Sequence, residues 1–175
     1  MGNDHQFVLF TAEDQQFALP LQSVDRVLQI VKVEPLSKAP EYICGVINLE
    51  GDLIPVINLR KIFLLQARDY NLNDQLIIFF TGTGRMAMWV DTVLETIVKD
   101  EEDISLQKKL FLDVSCIDGY FDFHDRVVLI GDPDKFVEKD HIMILEKAIE
   151  SMRTPNNKSL LKNKENPDNM LNPTV

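Results

Sequence analysis

The chain has 175 residues, 45% of them hydrophobic and 26% charged, with a formal net charge of −10. That is room for one ordinary domain, or for two small ones sharing a core, and the composition excludes wholesale disorder. The charge is uneven: residues 1–150 carry 14 basic and 26 acidic side chains, a net −12, while residues 151–175 carry 4 and 2. So acidic a body repels phosphate backbones and anionic lipid, so no nucleic acid is expected as a partner.

In chain order, residues 1–6 read as a ragged, disordered start. Phe7–Thr11 and Gln16–Leu19 are strand-like and make a hairpin. Pro20 can open a short helical turn, with Leu21, Val24 and Leu28 at helical spacing, before Val27–Val33 turns β-branched. Gly45–Leu49 and Leu53–Ile57 predict a second hairpin around Glu50-Gly51-Asp52. Pro55 donates no hydrogen bond, which places its strand at an edge or a bulge. Asn58–Leu65 reads as a short helix and Gln66–Asp74 as a polar connection. Strands follow at Gln75–Thr81, Arg85–Asp91, Thr92–Val98, Ser115–Phe123 and Arg126–Gly131. The long helix is Asp140–Met152, with Ile142, Leu145, Ile149 and Met152 on one side. From Thr154 the chain is rich in Asn and Pro, and residues 153–175 are expected to be a disordered tail. Short strands with close turns predict a mainly β fold, an all-β pair of small barrels split near residue 70.

Motifs that suggest chemistry do not hold up. Gly82-Thr83-Gly84-Arg85-Met86-Ala87 matches a dinucleotide fingerprint, but a strand follows it rather than a helix, so a hairpin turn is the better reading. Asp69-x-Asn71-x-Asn73 opens like a calcium loop, yet Asp74 and Phe80 stand where Gly and Glu are needed. Asp100–Asp103 is a solvated acidic turn. His5, His124 and His141 have no second ligand at zinc spacing. Cys44 and Cys116 form no C-x-x-C and read as structural thiols in a reducing cytosol. No catalytic residue, metal or cofactor is expected. The start has no basic segment followed by an apolar one, and no apolar run approaches the roughly 20 residues of a spanning helix. A cytoplasmic protein without direct membrane insertion is the expectation.

One stretch is specific. Pro40, Tyr42, Ile43, Gly45, Asn48, Leu49, Gly51, Pro55, Leu59 and Arg60 fall in order, without gaps, on the pattern P-x-[FY]-I-x-G-[VI]-x-N-L-R-G-x-x-[IV]-P-[VI]-x-D-L-R. The stretch resembles the CheW family of chemotaxis coupling proteins. Phe7–Leu19, Val90-Asp91-x-Val93, Ile117-x-Gly119 and Arg126–Ile130 fit the same family, so the resemblance covers about residues 7–150. It implies two five-stranded SH3-like β barrels packed on a shared core, a first of about 7–70 and a second of about 71–138, with a C-terminal helix near 140–152.

The resemblance also implies a non-catalytic adaptor, monomeric when isolated. Its partners would be the regulatory domain of the histidine kinase CheA and the cytoplasmic tip of a methyl-accepting chemoreceptor, at arrays on the inner face of the membrane. Carried over residue by residue, the receptor groove would include Val24, Arg26, Glu50, Ala87 and Val93, with Gly51 as a structural turn. Core packing is the plain alternative for Val24 and Val93, and a solvent-exposed pair for Arg26 and Glu50. Three positions depart from the family. Glu50 stands where it has Arg, Arg26 where it has Glu, and Asn58 where it has Asp. The charge pair is thereby inverted, with the partners 24 residues apart. Other readings are an adaptor of a non-flagellar pathway such as pilus motility, a stand-alone relative of the kinase's regulatory domain, and a small-ligand barrel with Gly82–Ala87 at its mouth.

Overall fold

The computed structural model describes residues 4–106 and 114–154. The strands are β1 (Asp4–Ala12), β2 (Gln15–Pro20), β3 (Val24–Gln29), β4 (Ile43–Leu49), β5 (Asp52–Asn58), β6 (Gln75–Thr81), β7 (Gly84–Val90), β8 (Thr92–Asp100), β9 (Ser105–Leu106), β10 (Ile117–Phe123) and β11 (Arg126–Gly131). Two α-helices join them, the short α1 (Leu59–Ile62) and the long α2 (Lys139–Arg153). One sheet runs β8-β1-β2-β11-β10-β9, the other β3-β6-β7-β5-β4. This is the mainly β architecture with a C-terminal helix that the sequence implies. One sheet has six strands rather than five, through the addition of the two-residue β9.

The second sheet closes on itself. Past β3 the chain turns to bring Glu34 against Val46 of β4, the opposite edge. The two residues exchange both backbone hydrogen bonds at 2.8 Å. Gly45 makes this approach feasible, because it adopts φ +150° and a Cβ there would fall on the Glu34 carbonyl oxygen. In the first sheet the chain joins the outer strands directly, from β8 through the turn Glu101–Asp103 into β9.

Alternation assigns each apolar side chain to a layer. Leu76 and Ile78 fill the second sheet's own interior, while Ile77 and Phe79 face the core shared with the first sheet. β7 repeats the pattern, with Ala87 and Trp89 inward and Met86, Met88 and Val90 towards the shared core. Being buried on both faces explains why these strands read as unbroken apolar runs. Phe10, Phe17, Leu19, Ile117 and Leu129 meet them from the first sheet, and Phe7, Leu9 and Phe121 fill that sheet's separate interior.

Several expectations are corrected. The halves do not divide near residue 70: residues 24–90 make one sheet, while β1 and β2 join β8–β11. The polar stretch that suggested a boundary is a loop within the second sheet. The N-terminal strand begins at Asp4, inside the stretch expected to be ragged, because Asp4, His5 and Gln6 pair with Asp100, Lys99 and Val98. Only Leu21–Ser23 is a helical turn, and Val24 and Leu28 lie in β3. Pro55 sits in an interior strand, tolerated because the β5–β7 ladder begins at Val56, one residue beyond it. Helix α2 docks through buried Leu145 and Ala148 with half-buried Ile142 and Ile149, but Met152 is 41% exposed. Of the expected tail, residues 153–175, Arg153 still belongs to α2 and Thr154 caps it, while residues 155–175 lie outside the described residues.

Candidate protein-binding site

The tight β4–β5 turn carries the first charged group. Glu50 and Gly51 both take positive φ, +56° and +93°, as a two-residue hairpin requires. The Asn48 side chain braces the turn by accepting a hydrogen bond from Gly51 N–H at 2.9 Å. Closure of the second sheet then brings this turn to β3. Arg26 Nη1 reaches Glu50 Oε1 at 3.4 Å, the two side chains being 40% and 71% exposed. Arg26 and Glu50 therefore form an ion pair.

It is part of a larger row. Arg26 Nε also lies 3.1 Å from Asp25 Oδ2, and the same oxygen is 3.5 Å from Arg85 Nη1. Arg85 in turn donates to Asp52 at 2.5 Å. Acid and base thus alternate along Glu50, Arg26, Asp25, Arg85 and Asp52. The hydrogen bond to Asp52 and the nearby acids raise the Arg85 pKa above its ordinary value. Sequence reading missed Asp25, Asp52 and Arg85 as members. Their one signal was that each neighbours a singled-out residue or an already suspected turn.

The other expected site residues do not join the row. Ala87 is fully buried in the interior of the second sheet, so no partner can touch it. It pairs with Ile78, which pairs with Arg26, so it lies two strands in from Arg26. Val24 and Val93 are half-buried and pack on the shared core, the plain alternative for both. Val93 N–H is further held by Gln75 Oε1 at 2.7 Å.

A second polar cluster lies where the motif's Arg60 meets Asp91, at 2.6 Å. Arg60 is 4% exposed, and its guanidinium stands 5.2 Å from the centre of the Trp89 ring. Arg68 joins Asp91 at 2.7 Å and grips both oxygens of Asp74 at 2.8 Å. Asp74 also accepts from Trp89 Nε1 at 2.9 Å and from Asn71 N–H at 2.7 Å. Burial pushes the Asp74 carboxyl up, yet the hydrogen bonds from Arg68, Asn71 and Trp89 outweigh it and hold the pKa below its ordinary value. Asp91 accepts Glu13 N–H at 2.7 Å, which ties the β1–β2 turn to this cluster. Every acid here has a basic or N–H partner, so the cluster reads as a structural clamp rather than a reactive centre.

Neither thiol is poised for chemistry. Burial raises the Cys44 pKa, and it pushes Cys116 up to about 12. Among the described residues no group of three or more His, Cys, Asp or Glu could hold a metal ion. No helix there is long and apolar enough to cross a membrane.

The CheW-like domain family matches residues 6–141. The chain belongs to the CheW-like family. Among relatives, the chemotaxis protein CheW of Klebsiella aerogenes is 22% identical over 83% of this chain and 89% of its own length. That of Treponema pallidum is 27% identical over 58% of this chain, and the match spans 64% of the Treponema protein. Among solved structures, the scaffolding protein TtCheW of Thermoanaerobacter tengcongensis superposes with a TM-score of 0.72 at 27% identity, over 81% of this chain and 96% of that one. This CheW-like chain carries the Arg26–Glu50 ion pair at the β4–β5 hairpin of its second sheet.

Proposed function

We propose that this chain is a non-catalytic coupling adaptor of chemotaxis signalling, bridging chemoreceptor cytoplasmic tips to the regulatory domain of the histidine kinase CheA. The observation that carries this reading is the family match over residues 6–141, which spans both sheets. The work of an adaptor is done by surface. The row from Glu50 to Asp52, exposed at its Glu50 and Asp52 ends, supplies a charged face. An acidic body favours partner patches that are basic or apolar. The protein would act in the cytoplasm, held at receptor arrays by its partners, and would be monomeric when isolated.

The test is a pull-down with a receptor tip and the kinase regulatory domain from the same cell, repeated with Arg26→Ala and Glu50→Ala. Capture of both partners supports the reading, and weakening of receptor capture by either substitution places the row in that contact. Capture of neither partner overturns it.

A further inference from the structure

Two unfavourable features meet at one pocket. The pocket, of about 520 Å³, opens where α1 passes into the loop after it, and Asn58, Arg60, Lys61, Leu64 and Arg68 line it. Its volume is that of a small-ligand site. The first feature is Arg60. Its side chain is 4% exposed and its Nη2 meets Asp91 at 2.6 Å. Nη1, however, is buried with no hydrogen-bond partner among the described residues. Buried donors are seldom left so, because nothing replaces the water they gave up.

The second feature is Leu64. Helix α1 closes with Phe63 N–H on the Leu59 carbonyl and Leu65 N–H on the Arg60 carbonyl, both at 2.9 Å. That closure holds Leu64 at φ +52°, a position that glycine usually takes. A leucine there is strained, and its side chain is 91% exposed, so the protein's own core does not offset the strain.

The charges indicate what the pocket takes. Three bases line it, against the single acid Glu41, which Lys61 engages at 2.8 Å. Asp91 and Asp74, the partners of Arg60 and Arg68, are not in the lining. Asn58 Oδ1 accepts Arg60 N–H at 2.9 Å, which leaves the amide nitrogen as a further donor. Donors therefore outnumber acceptors here, on a body of net charge −12. A guanidinium matches a carboxylate in shape and charge. A doubly charged phosphate suits the place less well, with Asp91 and Asp74 bound to the same guanidinium groups.

We propose that this pocket binds a carboxylate, with an oxygen on Arg60 Nη1, Lys61 and the Asn58 amide steadying the group, and Leu64 over the ligand's apolar part. The carboxylate belongs to a free organic acid or to an acidic side chain of a peptide. Because Nη1 is buried, binding needs a local shift of the wall, and the exposed Leu64 is the part of the lining least held by packing. Lys61 is free to turn to the ligand, since its pair with Glu41 is exposed and weak. The pocket shares no residue with the charged row, so the inference stands apart from the adaptor reading.

An NMR titration of the full chain at constant ionic strength tests this, with succinate and with the blocked peptide acetyl-Ala-Glu-Ala-amide as probes. Saturable shifts of the Arg60 guanidinium and of the amides of residues 58–68 are expected, and the tighter probe identifies the source of the carboxylate. Asn58→Asp keeps a cap for α1 but adds an anion to the lining, so it should weaken binding about tenfold or more at an unchanged melting temperature. Lys61→Glu, at a half-exposed position away from the cap, should weaken it likewise. The absence of saturable shifts with both probes overturns the proposal. So do equal shifts with sodium chloride, or binding that both substitutions leave intact.

Discussion

Arg60 and Asp91 meet at 2.6 Å although 31 residues separate them. The first ends the long family motif, the second belongs to the Val90-Asp91-x-Val93 segment, and the pair joins two parts of the pattern that sequence leaves unconnected. Arg60 is nearly fully buried, so loss of its counter-ion leaves a charge without compensation. Asp91→Ala should cost about 3 kcal/mol, measured by urea unfolding. A cost under about 1 kcal/mol would show that the Trp89 ring suffices for Arg60 without the carboxylate.

The exposed pair behaves differently. Arg26 and Glu50 are 40% and 71% exposed, so a double-mutant cycle should return a coupling of about 0–1 kcal/mol. Reversing both is not silent, because Asp25 lies 3.1 Å from Arg26 and would face a new Glu. Arg26→Glu should therefore destabilise more than Glu50→Arg. If the surface meets a receptor, the double reversal shifts partner preference towards receptors matched to the usual polarity. Unchanged binding to a panel of receptor tips would remove the row from the contact.

Two glycines should differ in tolerance. At Gly51 a Cβ would meet nothing within 4 Å, so Gly51→Ala should cost only the positive-φ strain of about 1–2 kcal/mol. At Gly45 the same change collides with the Glu34 carbonyl and opens the closure of the second sheet. Gly45→Ala should be the more damaging in thermal melts, and equal melting temperatures would contradict this.

Asn58 caps α1, its side chain accepting Arg60 N–H at 2.9 Å. Asn58→Ala should cost about 1 kcal/mol, whereas Asn58→Asp, the family's residue, should be neutral or slightly stabilising. Chemical denaturation of the two variants beside the parent separates these outcomes.

Acid should act through Asp74. Its folded pKa lies below the unfolded one, so its contribution is complete above the ordinary carboxylate value. That contribution is lost as pH falls through the folded value. Urea midpoints should drop between about pH 5 and pH 3, and Asp74→Asn should flatten the drop. An unchanged slope would assign the acid sensitivity to other carboxylates.

What the sequence made legible was local or came by resemblance. The hairpin at Glu50-Gly51, the mainly β content and the Arg26–Glu50 pairing could all be read from it. The members Asp25, Asp52 and Arg85 could not, because closure of the sheet and strand register choose them. Ala87 misled, since family position does not show which face a residue takes, and alternation along β7 turns it inward. Residues 66–74 looked like a domain boundary because they are polar. Their Arg68 and Asp74 are instead clamped around Trp89.

The division of strands between the sheets has a consequence for synthesis. Residues 24–90 are contiguous and complete one sheet on their own. The β1–β2 hairpin leaves the ribosome first, yet its neighbours β8 and β11 end at residues 100 and 131. The earliest hairpin is thus among the last to gain its outer neighbours, and Phe7, Leu9 and Phe10 await the rest of their core while most of the chain is made. That interval, rather than the finished protein, is when this adaptor is most open to chaperones and to mispairing.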